Sequence, residues 1–433
     1  MDVVYALLAE SGRAFLQLWL QPFYYMGLLL VVMQYRRAIY FERKLFATRR
    51  QNLLKRVWKT VLWGALVGLV GSIAMALIGI RMEAGAVVWM WAATLVLALF
   101  RVRYLCLAYA SGILAILHQL TVWFTGWSEW GIAGAIQPLA SLHVPSLLAL
   151  VAILHLMEAL LVRVQGAEMA SPLFIEGKRG KIVGAYQLLG LWPAPLLLMV
   201  PFAGVSSAGI DLPWTPLFGG VDWSSAGWSF LAFPAVLGFS DITHSMLPGQ
   251  KARVNAVRLL LYGGAVLLLA LLAYAVPVLG VLAAVFTVLL HEGIVWLNRL
   301  QEGKSSPMYT HDERGLRVLT VLPGSAAEEV GILPGEIIHK VNGTKVRAKE
   351  QLHAALRLNS AFTKLEIINL EGQTKFASRA LYAGEHHQLG IILAPDDRTL
   401  YYVEIEQPSL FSTLRSKFFG LSKTKSEERG FQG

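Results

Sequence analysis

Among the residues able to do chemistry, His291 and Glu292 come first. They open the pattern His-Glu-x-x-His, which sets two imidazoles on one helical face around a zinc ion with the glutamate as general base. The run reads His291, Glu292, Gly293, Ile294, Val295, so an aliphatic side chain stands at the second ligand position and a site of this type is excluded. Cys106, the single cysteine, lies in an apolar run, which rules out a disulfide framework and leaves no cysteine-based metal spacing. His155 and Glu158 share one helical face. Ionisable groups inside an apolar segment mark functional sites or act as hydrogen-bonded glue between helices, and with few acidic groups in the other apolar runs they read here as glue. His118 reads as a histidine satisfied by a neighbouring helix. Gly227-Trp228-Ser229 lacks the following glycine and the histidine partner of a serine-protease loop. No catalytic residues, metal site or cofactor are expected, and the chain reads as a non-enzyme.

The elements that would position these groups are membrane helices. A chain of 433 residues that is 55% hydrophobic and 15% charged, with mean hydropathy +0.54, is expected to be an integral membrane protein. Its formal charge of +10 is dispersed between apolar runs, as in cytoplasmic membrane loops, so nucleic acid is not an expected partner. Apolar stretches at 15–33, 61–80, 86–100, 104–124, 146–162, 182–204, 226–242, 259–276 and 278–297 predict about nine spans. The first is followed by a run of cations from Arg36 to Lys59 with no cleavage site before it, so it is retained and its basic flank is cytoplasmic. Lys and Arg then recur in alternate loops, while 125–145 and 205–225 contain neither but carry Trp127, Trp130, Trp214 and Trp223 for the interface. This pattern predicts an external N-terminus and a cytoplasmic C-terminus. In the second span Gly64, Gly68 and Ser72 repeat at small-xxx-small spacing, a face for close packing.

Residues 315–393 read differently, as a water-soluble unit. A strand at 316–322, a Pro323-Gly324 turn and a short helix at 325–330 come first, followed by strand residues Ile337, Ile338 and Val341 before the hairpin dipeptide Asn342-Gly343. A helix over 348–358 buries Leu352, Ala355 and Leu356, and strands at 364–370, 373–381 and 389–393 close the unit. This order, with the run GSAAEEVGILPGEIIHKVNG (324–343), resembles a bacterial PDZ domain. That resemblance implies binding of an extended peptide or C-terminal tail on an open sheet edge, its carboxylate held by a glycine-containing loop. The expected site is Leu389, Gly390 and Ile391 as the carboxylate loop, Ile391 to Leu393 as the receiving edge, and Gln351 and Ala355 as groove lining. The alternative is that 389–393 is only a core strand. The layout is thus an α-helical polytopic membrane domain (1–300), a linker (301–314), a small α+β PDZ domain (315–398) and a tail (399–433). The tail reads as a basic amphipathic helix for an anionic leaflet, or as a disordered segment.

The opening WLQPFYYMGLLLVVMQYRRAIYFERKLF (19–46), the exit HEGIVWLNRLQEGKSSPMY (291–309) into the PDZ unit, and the total size resemble the MinJ family, cell-division topology determinants of Gram-positive rod bacteria. The resemblance implies a membrane scaffold at septum and poles. It would bridge a DivIVA-like marker of curved membrane and a MinD-like ATPase, with other divisome membrane proteins as further partners. The alternatives are a catalytically inactive relative of PDZ-bearing intramembrane proteases and a transporter or sensor regulated by its PDZ domain. The charge pattern sets a test. A C-terminal alkaline-phosphatase fusion is expected to be inactive and a C-terminal fluorescent fusion bright, and the reverse result would overturn the topology.

Overall fold

The computed structural model describes residues 2–46, 52–129, 131–201, 214–218, 228–358, 362–380, 389–396, 399 and 402–403. The amphipathic tail expected beyond the PDZ unit, and Trp130 and Trp223, lie outside them. The chain opens with α1 (Asp2–Leu18) and α2 (Pro22–Phe46), which are bent by 59° at their junction. Next come α3 (Leu53–Ile78), α4 (Ala84–Phe100), α5 (Leu107–Trp123), α6 (Ala133–Ala140) and α7 (Val144–Met169). Asn52 caps α3 by accepting the Leu54 N–H, and Gly79 ends it at φ 82°. A three-stranded antiparallel sheet follows, β1 (Ser171–Glu176), β2 (Ile182–Pro201) and β3 (Trp228–Thr243), and then α8 (Pro248–Ala275) and α9 (Gly280–Lys304).

Among the described residues four helices, α3, α7, α8 and α9, are long and apolar enough to cross a membrane, or five spans if the bent α1/α2 pair counts as one. The expected nine spans are not confirmed by these four or five candidates. The stretches at 86–100 and 104–124 form the shorter apolar helices α4 and α5, and the described parts of those at 182–204 and 226–242 lie in β2 and β3. A continuous apolar run has no periodicity to separate a buried strand from a buried helix. The overlooked signal was Pro193, Pro195, Pro201 and Pro234, since a helix interior loses a hydrogen bond and gains a clash at each proline.

α7 is the helix around which the others assemble, with most of its length buried. Beside it the β2–β3 hairpin stays in register from Tyr186↔Thr243 to Pro201↔Trp228. At about 3.3 Å per residue that ladder is on the order of 50 Å long, longer than a hydrocarbon core of about 30 Å. Beyond Gln187 β1 no longer pairs with β2, and the bare edge lies along α3. Three of its backbone groups find partners there: Leu189 C=O accepts from Gln34 Nε2 at 2.6 Å, Leu197 N–H donates to Ser72 Oγ at 3.0 Å, and Met199 C=O accepts from Met82 N–H at 3.2 Å. Between them stand Pro193 and Pro195, which have no N–H to satisfy. Gly64 and Gly68 of α3 let these prolines approach so closely that an added Cβ would lie 2.4 Å from Pro193 O and 2.8 Å from Pro195 O. The small-residue face read in the sequence is thus a close-contact face, and what it receives is a strand.

After α9 the chain enters the soluble unit through a strap packed on the sheet base. Met308 N–H donates to His244 C=O at 2.7 Å, Gly184 N–H donates to Tyr309 C=O at 2.8 Å, and Tyr309 has no exposed surface. A polar knot holds the same junction. Lys251 of α8, fully buried, reaches Asp241 of β3 at 3.2 Å and Glu302 of α9 at 3.0 Å. Asn255 and Asn298 also donate to Asp241. Glu302 accepts from the His244 N–H and the Ser245 hydroxyl. Asp312 in the strap binds Arg314 and Arg317, and the Arg314 hydrogen bond holds its carboxyl well below the usual carboxylate range.

The PDZ elements are β4 (Leu316–Val321), α10 (Ala326–Glu329), β5 (Ile337–Val341), β6 (Thr344–Lys345), α11 (Lys349–Arg357), β7 (Phe362–Ile368), β8 (Thr374–Ala380) and β9 (Ile391–Leu393). The sheet order is β8-β7-β5-β4-β9, with β6 paired to β5. Asn342 (φ 49°) and Gly343 (φ 82°) form the expected tight turn between β5 and β6.

Glycine contrasts test the hairpin seat. Alanine is favoured over glycine in a helix interior by about 1 kcal/mol, whereas overpacking a tight contact costs about 1–3 kcal/mol. Gly264→Ala, where an added Cβ meets nothing within 4 Å, is expected to leave the thermal midpoint of the detergent-solubilised chain unchanged or raised, and Gly64→Ala to lower it. Equal shifts in the two variants would show that β2 is not packed on α3.

Candidate functional site

The PDZ core is built by Val318, Ile338, Val341, Leu352, Leu356, Leu365 and Ile367, with Ala327 and Ile332 beneath α10. β9 is the last strand of the sheet and pairs antiparallel with β4. Gly390 C=O accepts from the Leu322 N–H and Ala394 N–H donates to Arg317 C=O, both at 2.8 Å, so the alternation turns the backbone groups of Ile391 and Leu393 away from β4. Among the described residues no strand pairs with that outer side. The Ile391 and Leu393 side chains are half-buried against the PDZ core, while Ile392, on the opposite face, joins the membrane-domain core with Tyr309 and Leu319. The Tyr186 hydroxyl donates to Leu319 C=O, which fastens β4, and β9 through it, to the hairpin base.

The other expected site residues fall as follows. Leu389 is buried, and its carbonyl accepts from the Ala327 N–H at 2.8 Å. Gly390 has φ +72°, and an added Cβ would lie 2.3 Å from Ser325 Cβ. Glycine is therefore required by the fold here, whether or not an anion approaches it. Gln351 is exposed on the first turn of α11, and its side-chain oxygen accepts from the Arg347 N–H at 2.7 Å. Ala355 is buried in the PDZ core, and its carbonyl accepts from Asn342 Nδ2.

Elsewhere, the His291-Glu292 pair is split between two sets of partners. Glu292 accepts from Arg103 at 2.5 Å and from the Tyr109 hydroxyl at 2.7 Å. His291 turns its Nε2 to Cys106 Sγ at 3.5 Å, where His155 Nε2 also arrives at 3.2 Å. The cysteine and the two histidines, unrelated by spacing, thus meet on three helices. No sequence signal short of the fold could have joined residues 49 and 185 positions apart. Glu158 is buried on α7 one turn beyond His155. His118 Nδ1 lies 3.0 Å from Leu139 C=O on α6, a neighbouring-helix partner of the kind expected for it.

Residues 317–367 match the family model described as a PDZ domain. Over 230 residues, 53% of this chain, it is 36% identical to the cell division topological determinant MinJ of Bacillus subtilis (strain 168). Over 288 residues, 64% of the chain and 74% of the relative, it is 26% identical to the probable cell division topological determinant MinJ of Lacticaseibacillus paracasei. The match spans 56% of the Bacillus relative's length, about half of it. No solved structure matches the chain. The chain is thus similar to MinJ cell-division topological determinants and carries a C-terminal PDZ domain.

The strain at Gly390 yields a direct expectation. Gly390→Ala must adopt a left-handed φ and displace Ser325, at a cost of about 1–3 kcal/mol. Hydrogen exchange of the full chain is expected to show lost protection in β4, α10 and β9. Unchanged protection would show that the loop has another conformation in solution.

Proposed function

We propose that this chain is a non-enzymatic membrane scaffold of the cell-division machinery, one that presents its PDZ edge strand to a partner's extended peptide or C-terminal tail. It would bridge a DivIVA-like marker of curved membrane and a MinD-like ATPase at septum and poles. The observation that carries this reading is the outer side of β9, where, among the described residues, no strand pairs with the backbone donors and acceptors of Ile391 and Leu393 on a domain that matches the PDZ family. Strand addition to such an edge takes its affinity from main-chain hydrogen bonds and its specificity from side-chain pockets. The similarity to MinJ proteins supports cell division as the setting.

A scaffold also needs a fixed relation between its binding surface and its anchor, and the strap and polar knot supply it. Leu389, Gly390 and Ile391 would hold a terminal carboxylate, with Ile391 to Leu393 receiving the peptide. Gln351 would stand at the rim and Ala355 would support the floor. The basic flank at 36–59 and the cations after α9 favour a cytoplasmic PDZ domain and an external N-terminus.

Leu393→Pro removes one outward-facing N–H while the hydrogen bonds of Gly390 and Ala394 to the β4 side remain. In co-purification from solubilised membranes this variant is expected to retain at most a tenth of a DivIVA-like or MinD-like protein, about 1.4 kcal/mol of lost affinity. Undiminished recovery of both would exclude the edge as the recognition surface. Recovery of neither by the unaltered chain would exclude the bridging role.

A further inference from the structure

We propose that Cys106, His155 and His291 form a binding site for a borderline-soft transition-metal cation of the zinc class, held by one thiolate and two imidazoles between α5, α7 and α9. The three ligand atoms lie within 4.8 Å of one another. Cys106 Sγ stands 3.2 Å from His155 Nε2 and 3.5 Å from His291 Nε2. A tetrahedral zinc ion with sulfur at about 2.3 Å and nitrogen at about 2.0–2.1 Å sets such ligands about 3.5 Å apart. The two sulfur–nitrogen separations therefore stand at ligand spacing, and the three ligand atoms are close enough together for one ion to reach them all after small side-chain shifts.

The groups behind the ligands orient them for this role. His155 Nδ1 lies 2.8 Å from the Val151 carbonyl, which can only accept, so the proton is on Nδ1 and Nε2 presents its lone pair to the centre. His291 Nδ1 lies 3.1 Å from the Tyr109 hydroxyl. That hydroxyl donates its own proton to Glu292 at 2.7 Å, so it accepts from Nδ1–H and bares Nε2 of His291 toward the same centre. Arg103 fixes the Glu292 carboxylate in turn, at 2.5 Å. Outer hydrogen bonds that set the tautomer and tilt of each imidazole are what metal-ligating histidines use.

Counting protons favours a cation over a hydrogen-bonded knot. Two bare imidazole nitrogens converge on one sulfur, and a thiol has a single hydrogen to donate, so one lone pair would face the cluster unanswered. A divalent ion answers all three. On binding, the Cys106 S–H bond breaks, its proton leaves to solvent, and the sulfur lone pair forms the metal bond, so the cluster gains one net positive charge. Glu158, one turn beyond His155 and 8% exposed, would carry the balancing negative charge. A thiolate with two imidazoles and no oxygen ligand selects zinc-class ions over calcium or magnesium. Cys106 is partly buried at the N-cap of α5, and three protein ligands leave the fourth position of a tetrahedral ion to water. A bound ion would tie α9, the helix that leads to the PDZ strap, to α5 and α7. The inference stands apart from the scaffold reading and does not need it.

The test uses the full chain in detergent. Elemental analysis after growth with added zinc is expected to find about one zinc per chain. Cobalt(II) added to the stripped protein is expected to give the intense visible bands of a four-coordinate ion with a thiolate-to-metal charge-transfer band. Cys106→Ser should abolish the latter and weaken binding by about tenfold or more, the scale on which even outer-shell changes act. Because Cys106 is the chain's only cysteine, maleimide labelling reads the site without any variant. Zinc is expected to slow labelling and a chelator to restore it. A labelling rate indifferent to zinc, or a cobalt spectrum without the charge-transfer band, would overturn the proposal and leave the cluster as packing.

Discussion

A strand edge that runs beside apolar helices, away from water, must have every backbone group answered by protein, because each one left unpaired costs several kcal/mol there. The part of β2 beyond β1 eases that constraint in two ways. Pro193 and Pro195 remove two donors from the edge, and Gln34, Ser72 and Met82 supply partners to Leu189 C=O, Leu197 N–H and Met199 C=O. The glycines of α3 follow from the same demand, since a helix must come close enough to seal the edge, and at Gly64 and Gly68 only a hydrogen fits against the proline carbonyls. One apolar hairpin thereby becomes the axis on which α3, α7 and the strap are hung.

The hairpin also links the bundle to the PDZ domain. Its base carries β1, the Gly184–Tyr309 contact and the Tyr186 hydroxyl bound to β4. Next to it, Lys251 joins three elements through two carboxylates. A buried lysine stripped of one such partner costs about 3–5 kcal/mol, so the knot specifies one arrangement of α8, α9 and the hairpin. The PDZ sheet consequently has one face committed to the bundle through Ile392, while the outer edge of β9 points elsewhere. Docking thus uses the Ile392 face of the sheet, and among the described residues no strand covers the outer edge of β9.

Local pattern alone determined much of this protein. The PDZ elements follow from signals each contained within a few residues: Pro323-Gly324 for the first turn, Asn342-Gly343 for the hairpin, and the Leu352/Ala355/Leu356 stripe for α11. Hydropathy likewise marked α3, α7, α8 and α9, and the tight spacing of Gly64, Gly68 and Ser72 announced a close contact without saying with what. What escaped was decided by contacts distant in sequence. Whether an apolar run becomes a span or a strand depends on who satisfies its backbone, and for β2 the partners lie on α2, α3 and β3. Gly390 reads from the chain as an anion loop, yet its glycine is demanded by Ser325 on another segment. Cys106, His155 and His291 carry no shared spacing at all, and three helices crossing at one depth bring them together. Sequence sets what each segment can bury and which turns it can make; only packing, by choosing neighbours, decides which polar groups meet.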